Sequence, residues 1–202
     1  MLARFVRVFD LESLLASRGP RAGSTKVLGI DGHGGSGKST LAARLGRRLG
    51  AGIVHTDDFA SWDNPKNWWP QLIELVFEPL RSGARRLNYP RSQWWPGHEP
   101  DPVVDQPVTD VLILEGVGSL RREFRQFLSV AVFVRAPREL CLERGITRDT
   151  AMASRDVLVE RWTGWFDDEL GYMARDEPES YADLVMDGTV PFEDQLTSDG
   201  SR

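Results

Sequence analysis

Apolar residues along this chain fall into two kinds of pattern that alternate. Short, nearly unbroken runs occur at KVLGI (26–30), GIVHTD (52–57), VLILE (111–115), VAVFVRA (130–136) and ADLVMDG (182–188). Such runs predict strands buried on both faces, as in a parallel sheet. Between them the apolar residues are spaced three and four apart. STLAARLGRRLG puts Leu41, Ala42, Leu45 and Leu49 on one helical face, and Gly50 and Gly52 end it. WWPQLIELVFEPLRS (68–82) reads as a helix with Pro70 near its start, and Pro79 should kink or shorten it. PRELCLERGITRD (137–149) and SRDVLVERWTGWFDDELGYMA (154–174) predict two more helices. Residues 5–16 predict a short amphipathic one with Leu11, Leu14 and Leu15 on its apolar side. SRGPRAGST (17–25) reads as a loop, RSQWWPGHEPDPVVDQP (91–107) as too proline-rich for regular structure, and EDQLTSDGSR as a frayed tail.

Strands alternating with helices predict an α/β sandwich around a mostly parallel sheet. At 202 residues the chain suits one domain, over 1–190, followed by a tail at 191–202. Apolar residues at 41% and charged residues at 27% are an ordinary globular balance. A net charge of −5 argues against a broadly basic surface for nucleic acid. No apolar run approaches the ~20 residues of a membrane span. Arg4, Arg7, Asp10 and Glu12 interrupt the N-terminus, so no signal peptide is read there. A single cysteine, Cys141, forms no internal disulfide, and a cytoplasmic protein is the natural expectation.

One stretch costs the chain regular structure and asks for a reason. GIDGHGGSGKST (29–40) sits behind an apolar run and ahead of a helical one. Gly32, four residues, then Gly37, Lys38 and Ser39 is the spacing of a phosphate-binding P-loop. A chance match in a chain of this composition has a probability of roughly one in a hundred. Gly32, Gly34, Gly35 and Gly37 let the backbone curl around a phosphate chain with its N–H groups turned inward, and Ser36 is read with them as a nucleotide-binding residue of the loop. The helix that follows adds its positive end. Lys38 places an ammonium beside the β and γ phosphates, the Ser39 hydroxyl suits Mg²⁺, and Thr40 supports the helix start.

Strand ends supply the rest. HTDDF sets Asp57 and Asp58 where a parallel sheet opens its ligand crevice. A carboxylate there takes the proton of an acceptor hydroxyl or holds the metal, and two adjacent aspartates suggest a division of those tasks. Glu115 ends VLILE and is read with Ser39 and Asp58 as a Mg²⁺ residue. Arg144 and Arg148 lie four apart on one helix face, suited to close over a transferring phosphoryl group; Arg138 lies earlier on the same helix. His33, His55 and Cys141 read as spacer or packing residues.

In this order and spacing, IDGHGGSGKSTLA, TDDF, LILEGV and ERGITRD resemble the uridine kinase-like branch of P-loop kinases, a branch that includes pantothenate kinases and many actinobacterial members. The resemblance covers residues 26–188, and RWTGWFDDELGYMARDEPESYADLVMDG is similar to the C-terminal part of those actinobacterial members. It implies a three-layer α/β/α P-loop NTPase fold with a mostly parallel central sheet, an acceptor-site insertion at about 59–108 and a helical lid at about 137–165. It also implies transfer of the γ-phosphoryl group of ATP (or GTP), with Mg²⁺, to a hydroxyl of a small molecule. The family's general base maps onto Asp57, since Phe59 keeps the phenylalanine position. Ala60 departs from the tyrosine usual there, so the phosphate half of the likeness is the firmer.

The acceptor side is written in aromatics. Five of the seven tryptophans lie between HTDDF and the third apolar strand. They stack on a substrate ring or pack a small subdomain; the sequence allows both. Tyr89, Trp94, Trp95, His98 and Arg161 are the candidate substrate residues. A nucleoside such as uridine is the first acceptor to consider, with a sugar, vitamin precursor or antibiotic as alternatives. A nucleotide-dependent switch or partner protein without kinase activity is the rival from another class, and no NKxD element of a GTPase supports it. The sequence leaves open whether the protein is a homo-oligomer.

Overall fold

A computed structural model describes residues 8–62, 64–92, 94, 102–192 and 195. Among these residues seven strands form: β1 (Lys26–Asp31), β2 (Gly52–His55), β3 (Arg86–Pro90), β4 (Val103–Pro107), β5 (Val111–Glu115), β6 (Leu128–Arg135) and β7 (Leu184–Asp187). Five of them make one sheet in the order β2-β5-β1-β6-β7, and every pairing in it is parallel. The main helices are α1 (Val8–Ser17), α2 (Lys38–Leu49), α3, α4 (Arg138–Arg148) and α5 (Arg155–Asp176). Helix α3 runs on through three abutting segments, Trp69–Leu72, the π-helical Ile73–Phe77 and Glu78–Arg81.

Alternate side chains of the central strands feed two cores, and this makes three layers. Val27, Leu112 and Leu114 join Leu72, Val76, Phe77 and Leu80 of α3 on one face. Leu28, Ile30, Ile113 and Val132 join Leu11 and Leu15 of α1 and Leu41 and Leu45 of α2 on the other. A third, smaller core of Cys141, Ile146, Leu158, Trp162 and Phe166 joins α4 to α5, the region expected to act as a lid. Among the described residues no helix is long and apolar enough to cross a membrane.

The kink or shortening expected of Pro79 takes the form of a π-helical distortion, and the helix still runs on to Arg81. The π-helical segment directly ahead of Glu78–Arg81 widens the turn, which relieves the clash that a proline ring makes with the carbonyl four residues back. The expectation for the proline-rich stretch is corrected, because it is not wholly irregular. Residues 103–107 pair antiparallel with 86–90, with Leu87 and Tyr89 turned inward. Pro90 and Pro107 sit at the ends of this two-stranded ribbon, where a missing N–H is tolerated.

Candidate active site

The glycine-rich loop leaves the carboxyl end of β1, the middle strand of the sheet, where connections diverge to either side. Gly37 has φ 102° and caps α2, so the helix begins at Lys38. Gly35 has φ 79°, and a Cβ there would stand 2.2 Å from the Cys141 carbonyl oxygen of α4. Bare backbone is therefore needed both for the curl and for α4 to pack against it. The Lys38 ammonium donates to the His33 carbonyl at 2.8 Å across the loop.

This loop floors a cavity of about 730 Å³. Gly34, Gly35, Gly37, Lys38, Ser39 and Thr40 line its floor, with Asp57 and Glu115 from strand ends and Arg144 and Arg148 from the lid. Gly32 and Ser36 are buried beneath it. A glycine cradle with an ammonium at its bend fits a nucleotide's phosphates.

The Ser39 hydroxyl donates to Glu115 Oε1 at 3.0 Å, and His55 Nδ1 lies 2.6 Å from Glu115 Oε2. Burial pushes the Glu115 carboxyl up, but the His55 hydrogen bond, Lys38 and the charge of His55 together bring it below its ordinary 4.5. Burial pulls the His55 imidazole down, yet the bond and charge of Glu115 leave it raised. A hydroxyl and an ionised carboxylate side by side are hard oxygen donors that fit Mg²⁺, which keeps most of its waters and takes few protein ligands. His55, expected to pack, is instead the orienting partner of Glu115.

Asp57 and Asp58 occupy a single 3₁₀ turn, Thr56–Asp58, at the end of β2. Asp57 opens into the cavity. It keeps solvent on one side while the cleft walls crowd it, and that crowding, with the charge of Glu115, raises its carboxyl above the ordinary 3.8. Asp58 is turned inward. Its oxygens accept from the Tyr89 hydroxyl at 3.1 Å and Arg91 Nε at 2.6 Å. The expectation of Asp58 as a metal residue is thereby corrected, because its carboxylate is spent on a buried network. Tyr89 is corrected with it: the ring stacks against Phe59 in the core, away from the cavity.

Lid arginines differ in what holds them. Arg144 Nη1 donates to the Gly188 carbonyl at 2.9 Å, fastening α4 to the loop after β7. Arg148 lies over the Trp162 ring at 5.3 Å, and its Nε and Nη2 grip Asp149 at 2.7 and 3.3 Å. Arg138 pairs with Asp167 outside the cavity. Burial pushes the Cys141 thiol up to about 11, in keeping with packing.

The tryptophans divide between the core and the cavity wall. Trp68 is buried in the core beneath α3. Trp62, Trp94 and Trp165 meet edge-to-face, with 4.8 Å between Trp62 and Trp94 and 5.1 Å between Trp94 and Trp165, and all three line the cavity. Trp94 Nε1 donates to the Asp57 carbonyl at 2.9 Å, joining the aromatic wall to the candidate base. Arg161 lies over the outer Trp62 ring at 5.1 Å. Trp95 and His98 lie outside the described residues.

Four further contributors are not among the candidate site residues, although all but Arg44 lie inside the quoted motifs. Arg44 lines the cavity from α2. Asp149 orients Arg148. Asp31, fully buried, accepts from the N–H groups of Gly32 and Leu120 and from the Tyr172 hydroxyl. Glu169 accepts from the Gly34 N–H at 3.0 Å. Asp31, inside the quoted glycine stretch, offered the best signal, since a carboxylate at a strand's end beside glycine N–H groups invites such bonds.

No family model matches the chain. Among curated proteins it is 28% identical over 142 residues to uridine-cytidine kinase D of Dictyostelium discoideum, covering 66% of this chain and 29% of that protein. The chain thus spans under a third of that relative's length. It is 23% identical over 152 residues to the uridine kinase of Staphylococcus aureus (strain JH9), covering 66% of this chain and 73% of that enzyme. Among solved structures, a possible uridine kinase from Bacillus stearothermophilus superimposes with a TM-score of 0.62 at 25% identity, over 89% of this chain and 96% of that one.

Proposed function

We propose that this chain works as a uridine kinase-like P-loop kinase and moves the γ-phosphoryl group of ATP, or GTP, to a hydroxyl of a nucleoside such as uridine. The observation that carries the reading is the meeting of the Asp57 carboxylate and the phosphate cradle in a single cavity. The backbone of Gly35–Thr40 and the Lys38 ammonium bind the phosphate chain. Asp57 accepts the proton of the attacking hydroxyl as the new bond to phosphorus forms, and its raised carboxyl holds that proton more readily than an ordinary one. Arg144 and Arg148 neutralise the oxygens of the phosphoryl group in flight. Magnesium, when bound, draws charge from the phosphate oxygens; Ser39 and Glu115 would hold it. Trp62, Trp94 and Trp165 wall the acceptor side, the insertion over 59–108 supplying the first two, and exclude water there. Uridine is preferred as the first acceptor because the curated relatives named above are uridine or uridine-cytidine kinases. The cytoplasm, with its nucleotide pool and reducing conditions, suits the free Cys141.

The test is ADP release with Mg-ATP against a panel of nucleosides and sugars. Uridine should raise turnover at least about 10²-fold over acceptor-free hydrolysis. A sugar as the sole effective acceptor would move the chain to the alternative kinase reading. Hydrolysis indifferent to every acceptor would move it to the switch reading.

A further inference from the structure

Helix α5 turns Trp162, Phe166, Glu169 and Tyr172 toward the phosphate-binding loop. Their spacing keeps them on one helix face. Trp162 covers Gly34, where a Cβ would come within 2.8 Å of its ring. Phe166 stacks on His33 with 5.4 Å between centroids. The Tyr172 hydroxyl donates to Asp31 at 2.6 Å, below the loop. Glu169 is the charged member, and it is only 2% exposed. Its Oε1 accepts from the Gly34 N–H at 3.0 Å, and its Oε2 lies 2.7 Å from His33 Nδ1.

A buried carboxylate is costly, and one placed against a phosphate cradle adds repulsion to the ligand. What it supplies in return is a fixed backbone. It takes the Gly34 N–H toward α5, and leaves Gly35, Gly37, Lys38, Ser39 and Thr40, which line the cavity with Gly34, to meet the ligand. A glycine-rich segment without such an anchor would sample many conformations, and binding would have to order it.

We propose that Glu169 is a positioning residue for nucleotide binding, pinning His33 and Gly34 against α5 so that the loop is held in its phosphate-receiving shape before the nucleotide arrives. This rests on the P-loop kinase reading above. Without the pin, the competent loop is only a fraction of the population, and apparent affinity falls by that fraction.

The test uses full-length Glu169→Ala and Glu169→Gln with a non-hydrolysable Mg-ATP analogue in calorimetry, and with Mg-ATP in steady-state kinetics. Glutamine keeps an acceptor oxygen for Gly34, and its amide can donate to His33 Nδ1; alanine keeps neither. Glu169→Ala should weaken nucleotide Kd and KM by about tenfold or more. Its kcat at saturating nucleotide should stay within about threefold of wild type, and Glu169→Gln should recover most of the lost affinity. Wild-type affinity in the alanine variant, or a glutamine variant as weak as alanine, overturns the proposal. Absence of nucleotide uptake by the wild type overturns the kinase reading itself, which is a separate outcome. Should Glu169→Ala not fold, amide exchange in the nucleotide-free wild type decides. The Gly34 N–H should exchange at least about tenfold more slowly than an exposed glycine amide, and exchange at the exposed rate overturns the proposal.

Discussion

Asp57 and Asp58 are chain neighbours that face opposite sides of the wall they share. Asp57 looks into the cavity, while Asp58 is held behind it by Tyr89 and Arg91. A 3₁₀ turn makes this possible, because three residues per turn swing successive side chains about 120° apart.

Identical substitutions at the two sites should therefore fail differently. Asp57→Asn should slow phosphoryl transfer by at least about 10² while nucleotide affinity stays nearly unchanged. Asp58→Asn weakens a buried ion pair and should cost roughly 1–3 kcal/mol of stability, read in denaturant melts, with the smaller effect on kcat. Full turnover by Asp57→Asn would remove it as the base.

Gly35 and Gly50 both hold positive φ, 79° and 60°, but only Gly35 is hemmed in. At Gly50 an added Cβ meets nothing within 4 Å. Gly50→Ala should thus cost only the left-handed strain, about 1–2 kcal/mol. Gly35→Ala would drive a methyl into the Cys141 carbonyl, so the loop and α4 must part. Nucleotide binding should be lost, while circular dichroism still reports a folded sheet, because Gly35 lies outside both sheet cores.

What the sequence disclosed follows from how local each signal is. The phosphate loop and the five sheet strands are read within a dozen residues each, from glycine spacing or an apolar run. The ribbon of β3 and β4 is not, since Leu87 and Tyr89 find partners only across an intervening proline-rich stretch. Neither is the split between Asp57 and Asp58, where residue type is the same and only the turn decides. Glu169 sits in DDEL, where three acidic residues look alike; the helix face it shares with Phe166 and Tyr172 singles it out, and that face has meaning only once the loop is packed against it. His55 needed β5 beside β2 before Glu115 came within reach.

Burial raises the Asp31 carboxyl above its ordinary 3.8, against the pull of hydrogen bonds from Tyr172, Leu120 and Gly32. The folded state therefore holds this proton more tightly than the unfolded chain does. Asp31 thus makes stability fall as pH rises from 3.8 through the folded-state value. Tyr172→Phe removes a donor that favours the ionised form, so it pushes the carboxyl higher still. The variant's deficit should be small in acid and grow toward neutral pH, reaching about 1–3 kcal/mol. Denaturant melts at several pH values check this, and a deficit independent of pH would contradict it.

The last prediction concerns how Arg148 is aimed. Asp149 grips the guanidinium by two nitrogens and also accepts from Trp162 Nε1 at 3.0 Å, while the Trp162 ring lies beneath the arginine. A planar fork can satisfy that bidentate grip and still present donors to the cavity; an ammonium cannot. Arg148→Lys should therefore keep the charge yet lower kcat by about 10². Asp149→Asn leaves the guanidinium in place but loosens its aim, and kcat should fall by about tenfold, with KM for nucleotide little changed. Full activity in Arg148→Lys would mean that charge alone suffices, and the Asp149–Trp162 support would then serve the packing of the lid.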